Sequence, residues 1–155
     1  MIISKINQNN KGTLYKIKNN INKDISISIN NVSSPFGLEE INDGKVFYIK
    51  WNIDKMYEVL DVIETIESNI QDKFTDKILK SNIIRKNNYP TMLNSKINNS
   101  INNNIILKSE GDTYTIKEFI KKKSKYNVIL IIDKLFVNNA YINYSITIKN
   151  IAYAL

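Results

Sequence analysis

The chain has 155 residues, 43% of them hydrophobic and 24% charged, and its 22 Lys and Arg against 15 Asp and Glu give a formal charge of +7. It contains neither Cys nor His. That excludes disulfides, thiolate metal sites, cysteine nucleophiles, serine-histidine triads, histidine general bases and nearly all transition-metal sites. Carboxylate, Lys or Tyr chemistry is left for catalysis, with Mg²⁺ held by carboxylates.

Ile (30), Asn (25) and Lys (21) make up about half of the chain, against a single Arg, Arg85. These three residue types share A/T-rich codons, so the excess of Lys over Arg reports on the genome more than on function. The positive charge still favours polyanionic partners. The length predicts one domain over residues 1–155. No stretch approaches the ~20 apolar residues of a membrane span. The N-terminus lacks the apolar run of a secretory signal. The expectation is a soluble intracellular protein with no membrane partner and no cofactor.

In chain order, residues 1–23 read as a peripheral N-terminal strand or arm. Residues 24–33 alternate, with Ile25, Ile27 and Ile29 on one face and Ser26 and Ser28 on the other, which predicts a strand. Residues 45–53 form a second strand. Its Phe47, Ile49 and Trp51 belong to the core, and Val46, Tyr48 and Lys50 to the opposite face. Tyr48 and Lys50 can bind there, or Tyr48 can simply cover a sheet edge.

The spacing of Met56, Val59, Leu60, Ile63, Ile66, Ile70 and Phe74 predicts a helix over 54–77, capped by Asn52 or Asp54. Its seven acids and three Lys leave the rest of the chain with a net charge of +11. The acids lie opposite the apolar stripe, as on a solvated face.

Residues 78–109 carry Lys80, Arg85, Lys86, Lys96 and Lys108 and no acid. The basic pair Arg85-Lys86 close to Tyr89-Pro90 suits a single strand, with cations at phosphates and a ring under a base. A solvated basic loop with a turn proline has the same pattern. Residues 98–104 read as a mobile Asn-rich loop. Strands are predicted at 104–109 and 113–116, joined by Glu110-Gly111-Asp112, and a short helix over 115–123. The Lys121-Lys122-Lys123 run fits phosphate contacts or an exposed helix end. Strands 127–137 and 140–149 close the chain around Asn138-Asn139, which tolerates the positive φ of a tight hairpin. Tyr141 falls on the exposed face of the last strand and Tyr144 in the core.

Short strands around one long helix predict a mainly β architecture, either a partly open barrel or a sheet with a packed helix. No phosphate-binding glycine loop or nucleophile elbow is present. A carboxylate–Mg²⁺ nuclease is disfavoured, because no paired acids are visible outside the helix's solvated face.

One order of features is familiar. Ser34-Pro35-Phe36-Gly37 precedes a strand ending Ile49-Lys50-Trp51-Asn52. The amphipathic helix is next, then Asn88-Tyr89-Pro90-Thr91-Met92-Leu93-Asn94-Ser95-Lys96-Ile97, then a long hydrophobic strand pair. Over about residues 33–152 this resembles the single-stranded DNA-binding proteins of nucleocytoplasmic large DNA viruses, which are similar to a phage single-stranded DNA-binding protein. An AT-rich giant-virus or insect-poxvirus genome would account for the codon bias.

The resemblance implies a five-stranded oligonucleotide-binding (OB) barrel. Such a protein coats single-stranded DNA in replication, recombination or repair, in the host cytoplasm or a viral factory. It implies single-stranded DNA (or RNA) as the partner, with a homodimer or higher oligomer and replication proteins as further partners. By position it marks Arg85, Lys86, Tyr89 and Lys96 as DNA contacts, followed by Lys50 and Tyr48, and treats Pro35, Phe36 and Gly37 as a structural turn with Phe36 packed inward. Two departures stand out. The family's acidic, aromatic-tipped tail is missing after Ala154-Leu155, and Asn138-Asn139-Ala140 replaces an expected glycine. The rival expectation is a viral structural, assembly or transcription-associated module that offers an edge strand or its acidic helix to a protein.

Overall fold

A computed structural model describes residues 1–41, 46–98, 106–108 and 119–155. Among these the chain is mainly β, with one helix. The strands are β1 (Ile2–Asn9), β2 (Gly12–Lys18), β3 (Ile25–Val32), β4 (Leu38–Ile41) and β5 (Val46–Asn52). After α1 (Tyr57–Lys73) come β6 (Ile78–Lys80), β7 (Ile83–Ile84), β8 (Met92–Asn98), β9 (Ile106–Lys108), β10 (Tyr126–Val137) and β11 (Tyr141–Tyr153).

The β10–β11 hairpin is the spine. One edge of β10 is shared, with β3 pairing along Tyr126–Ile132 and β2 along Lys134–Val137. The far edge of β11 is shared as well. It meets β6 at Tyr141–Asn143, β8 at Thr147 opposite Lys96, and β9 at Asn150–Ala152, all parallel. β8 then pairs antiparallel with β5, and β5 with β4. The ladder runs β1-β2-β10-β11-β8-β5-β4, with β3 on β10, and hydrogen bonds among the described residues do not close it. The N-terminal segment is the β1–β2 hairpin, with β2 docked on β10 and β1 at the edge of the sheet.

Strict alternation makes these strands. Along β11, Ile142, Tyr144, Ile146 and Ile148 are buried while Asn143, Ser145 and Thr147 face out. In β10 the inward set Tyr126, Val128, Leu130 and Ile132 shifts phase to Leu135 and Val137. An irregularity in the pairing between Ile132 and Lys134 makes that shift, because one extra residue reverses the side-chain phase. Phe47, Ile49 and Trp51 are fully buried, as their alternation predicts. The Trp51 indole N–H donates to Ser95 Oγ at 2.9 Å, which satisfies a polar atom that burial would otherwise strand.

The helix buries Ile63, Ile66 and Ile70, with Met56, Val59, Leu60 and Phe74 at the margin, so the predicted stripe is the packed face. Its ends differ from expectation. It begins after Met56 with no side-chain cap, because Asn52 Oδ1 accepts the Asp54 N–H at 3.0 Å within the loop before the helix. Asp54 reaches the Thr91 N–H instead, at 3.4 Å.

Four further expectations change or fall outside the described residues. The final turn needs no positive φ at Asn138 or Asn139. Asn138 Oδ1 accepts the N–H groups of Ala140 (2.9 Å) and Tyr141 (2.7 Å), so a side chain holds the turn and the missing glycine is no defect. Residues 121–123 are not helical. The 113–116 strand, its Glu110-Gly111-Asp112 turn, the Asn-rich stretch after Asn98 and residues 115–118 of the predicted helix lie outside the described residues.

The turn between β3 and β4 is held by its own backbone and one buried side chain. Ser34 is buried, its carbonyl accepts the Gly37 N–H at 3.3 Å, and its hydroxyl donates to the Gly37 carbonyl at 3.3 Å. Gly37 has φ +68, and a Cβ there would lie 3.4 Å from the Lys122 side chain. Gly37→Ala should therefore destabilise the protein by about 1–2 kcal/mol, the cost of a left-handed L-residue. Urea denaturation checks this, and an unchanged midpoint would refute the role given to the turn.

Candidate nucleic-acid interface

The Ser34–Gly37 turn places Phe36 at its tip. The ring is 39% exposed, so the expected inward packing is wrong. Pro35 and the Ser34–Gly37 contacts fix the turn, and its third residue has no core side to face. A second turn aims a ring at the same spot. The Tyr89 N–H donates to the Lys86 carbonyl at 3.2 Å, with Asn88 at φ +69, the value a type II turn requires at that place. Tyr89 is 54% exposed, and its ring centroid lies 5.7 Å from that of Phe36. The Thr91 carbonyl accepts the Ile53 N–H at 3.0 Å and ties this loop to the end of β5.

Cations surround the ring pair. Lys50 Nζ lies 5.9 Å from the Phe36 ring centroid and also pairs with Glu39. Lys122 and the acid Glu40 join Phe36, Gly37, Leu38 and Ile120 in lining a cleft of about 330 Å³. Lys86 is exposed at the start of the Tyr89 turn. Along β5, Tyr48 shares the outward face with Lys50 and stands opposite Lys96 of β8. Tyr48 and Lys96 line a polar cleft of about 210 Å³ with Asn82, Asn94, Asn143 and Ser145. Asn94 Oδ1 has no hydrogen-bond partner there among the described residues.

The remaining expected residues separate. Arg85 is turned toward the helix and paired with Glu64, which draws it from the Tyr89 loop toward α1. Lys121 and Lys123 are exposed beside Lys122. Tyr141 is 39% exposed at the start of β11, with Lys80 Nζ 4.3 Å from its ring centroid. So Phe36, Tyr89, Lys50 and Lys122 come together. Tyr48 and Lys96 adjoin them on the same face, and Tyr141 stands apart. Residue spacing does not reveal Phe36 or Lys80, although the Pro-Phe-Gly turn is a usable cue for an exposed ring.

The basic 121–123 segment is held from below. The buried Tyr126 hydroxyl accepts the Lys121 N–H at 2.7 Å and donates to the Phe119 carbonyl at 2.9 Å. Burial pushes that phenol's pKa up, and burial beside Glu67 pushes that of Tyr144 well above its ordinary value. Both remain neutral structural hydroxyls. Among the described residues, no three carboxylates gather where they could hold a metal ion.

Comparison of the chain with family models, curated proteins and solved structures yields no match.

Tyr126→Phe removes the hydroxyl that anchors the basic segment. The expected result is a loss of about 1–2 kcal/mol of stability, as for a buried hydrogen bond left half-made, with faster amide exchange at Lys121. Unaltered exchange at Lys121 would show that the segment is held in some other way.

Proposed function

We propose that the chain is a non-enzymatic single-stranded DNA-binding protein built on an oligonucleotide-binding barrel, as its sequence resemblance implies. The observation that carries this reading is the exposed Phe36–Tyr89 ring pair flanked by Lys50 and Lys122. Two rings held side by side on turns offer flat apolar faces to a ligand. Cations beside them suit a ligand with flat apolar faces and regular negative charge. Single-stranded nucleic acid has both, and every base offers a π-face, so such a platform is sequence-tolerant.

The strand path supports the barrel. β3 and β4 flank the Ser34–Gly37 turn and act as one bent strand, bonded to β10 on one side and β5 on the other. The Asn52 N–H donates to the Ser33 carbonyl at 2.8 Å and bridges the bend. The circuit β3/β4–β5–β8–β11–β10–β3, with β8 beside β11 in parallel at Thr147 and Lys96, supports a five-stranded OB order in a sheet that hydrogen bonds do not close. In that fold the face of the second and third strands binds oligonucleotides. Here that face carries Tyr48, Lys50, Asn94 and Lys96.

A second reading, a protein-interaction or assembly module, draws on β1. It is a sheet edge with Ile2 and Ile6 exposed, and such edges recruit further strands. Light scattering with and without oligonucleotide separates the two. A stable oligomer indifferent to DNA favours assembly.

Titration of an oligo-dT of about 30 nucleotides at several salt concentrations tests the leading reading. Each neutralised phosphate contributes about −0.7 to the log–log slope, so engagement of four Lys gives roughly −3. Phe36→Ala and Tyr89→Ala should each weaken binding by about 1–3 kcal/mol without altering the melting temperature. No binding at low salt, or tighter binding to duplex, sinks the proposal.

The carboxylates beside the cations give a prediction of opposite sign. Glu39→Gln releases Lys50 from its half-buried ion pair and should tighten binding by up to about fivefold, a change of ~1 kcal/mol. Weaker binding would show that Glu39 positions Lys50 rather than competing for it.

A further inference from the structure

We infer that the interface has a second stacking platform at Tyr141, joined to the Phe36–Tyr89 platform by a polar track. Its ligand is then a strand long enough to reach both. This rests on the single-stranded DNA reading and extends it from one platform to a path.

Tyr141 and Ile78 are paired neighbours in the parallel β6–β11 ladder, and both are exposed, Ile78 at 65%. Lys80, two residues on, places its ammonium 4.3 Å from the Tyr141 ring centroid. Ring, aliphatic side chain and cation thus repeat the chemistry of the first platform, formed from different strands. The cation–ring contact is weak at an exposed site and smaller than base stacking. An arriving base can therefore displace Lys80 to the rim, where its charge meets the flanking phosphate.

The ground between the platforms fits a strand in transit. Tyr141, Asn143, Ser145 and Thr147 all point outward from β11, because the residues between them are buried. Asn143 and Ser145 line the cleft of about 210 Å³ that Tyr48, Asn82, Asn94 and Lys96 complete from the other side. That lining carries amides, hydroxyls and one cation, and none of the residues named is acidic. Among the described residues Asn94 Oδ1 is buried beneath this lining without a hydrogen-bond partner. Tyr141 itself lies six residues of strand, roughly 20 Å at ~3.3 Å each, from Thr147, which pairs with Lys96. A strand that leaves the first platform and crosses the cleft to Tyr141 needs more than the one or two bases that a single platform stacks, within the ~4–16 nucleotides that an OB fold occupies.

Fluorescence anisotropy with an oligo-dT series from about 3 to about 20 nucleotides, spanning the OB site-size range, tests this on wild type, Tyr141→Ala, Tyr141→Phe and Phe36→Ala. Wild type should show a step in affinity once the strand reaches both platforms. Tyr141→Ala should leave the shortest oligonucleotides unaffected, weaken binding of the long ones about five- to tenfold and erase the step, while Tyr141→Phe restores it. Phe36→Ala should weaken binding at every length. If Tyr141→Ala binds long strands as wild type does, or weakens all lengths equally, the second platform is refuted and the first stands. If wild type binds none of the series at low salt, the parent reading fails and takes the second platform with it.

Discussion

The β10–β11 hairpin is the constraint on which the rest depends. Two long strands present four edges, and each outer edge is longer than any one partner. Backbone N–H and C=O groups left unpaired inside a sheet are expensive, so every length of edge must be matched. The chain meets this by dividing each edge among shorter strands: β3 and β2 on β10, and β6, β8 and β9 on β11. The division accounts for two features that look irregular by themselves. The phase shift near Asp133 falls where β10 changes partner from β3 to β2. The β6–β7 segment lies where β11 and β8 diverge, with β6 bonded to one and β7 to the other. That divergence opens the polar cleft, with Asn82 set between the two short strands and its amide donating to the Tyr144 carbonyl at 2.9 Å.

The interface arises from the same arrangement. Strands β5, β8 and β11 bury one face in an aliphatic and aromatic core, so their other face is forced outward and can be polar. Loops then decide what the face carries. Two turns, Ser34–Gly37 and Lys86–Tyr89, hold rings beyond the sheet's edge, where no core position is available to them. The carboxylates Glu39 and Glu64 hold Lys50 and Arg85 in the free protein. Exposed ion pairs contribute little to stability and exchange readily. On the single-stranded DNA reading they would be placeholders, keeping the cations ordered until phosphate displaces the acid.

How much of this is legible in the sequence depends on whether a position obeys a period. The helix stripe from Met56 to Phe74 and the buried set Phe47, Ile49, Trp51 are legible because burial imposes spacings of 3.6 and 2. Tyr141 outside and Tyr144 inside obey the same rule. Phe36 escapes it because a turn residue has no period; only the local Ser34 and Gly37 hydrogen bonds determine where its ring goes. Arg85 belongs to the Tyr89 loop by proximity in sequence, yet Glu64 on the helix claims it across 21 positions of chain. The helix cap fails for a related reason. Asn52 and Asp54 are both good caps, and each finds another backbone N–H to accept from. The parallel contacts of β11 with β6, β8 and β9 are beyond reach, since pairing between distant strands leaves no trace in local pattern.

The Lys-rich composition acquires a different meaning once its placement is known. Codon bias can supply lysines, but it cannot decide that Lys50 and Lys122 flank one ring and Lys80 another. A long, flexible ammonium is poorly suited to reading base edges, which needs a fixed planar donor array. It is well suited to following phosphates whose positions vary with each bound sequence. Aromatic platforms tolerate any base for the complementary reason that they contact its face and not its edge. If the chain binds single strands as proposed, one arginine, many lysines and rings held out on turns favour binding that is indifferent to sequence and sensitive to salt.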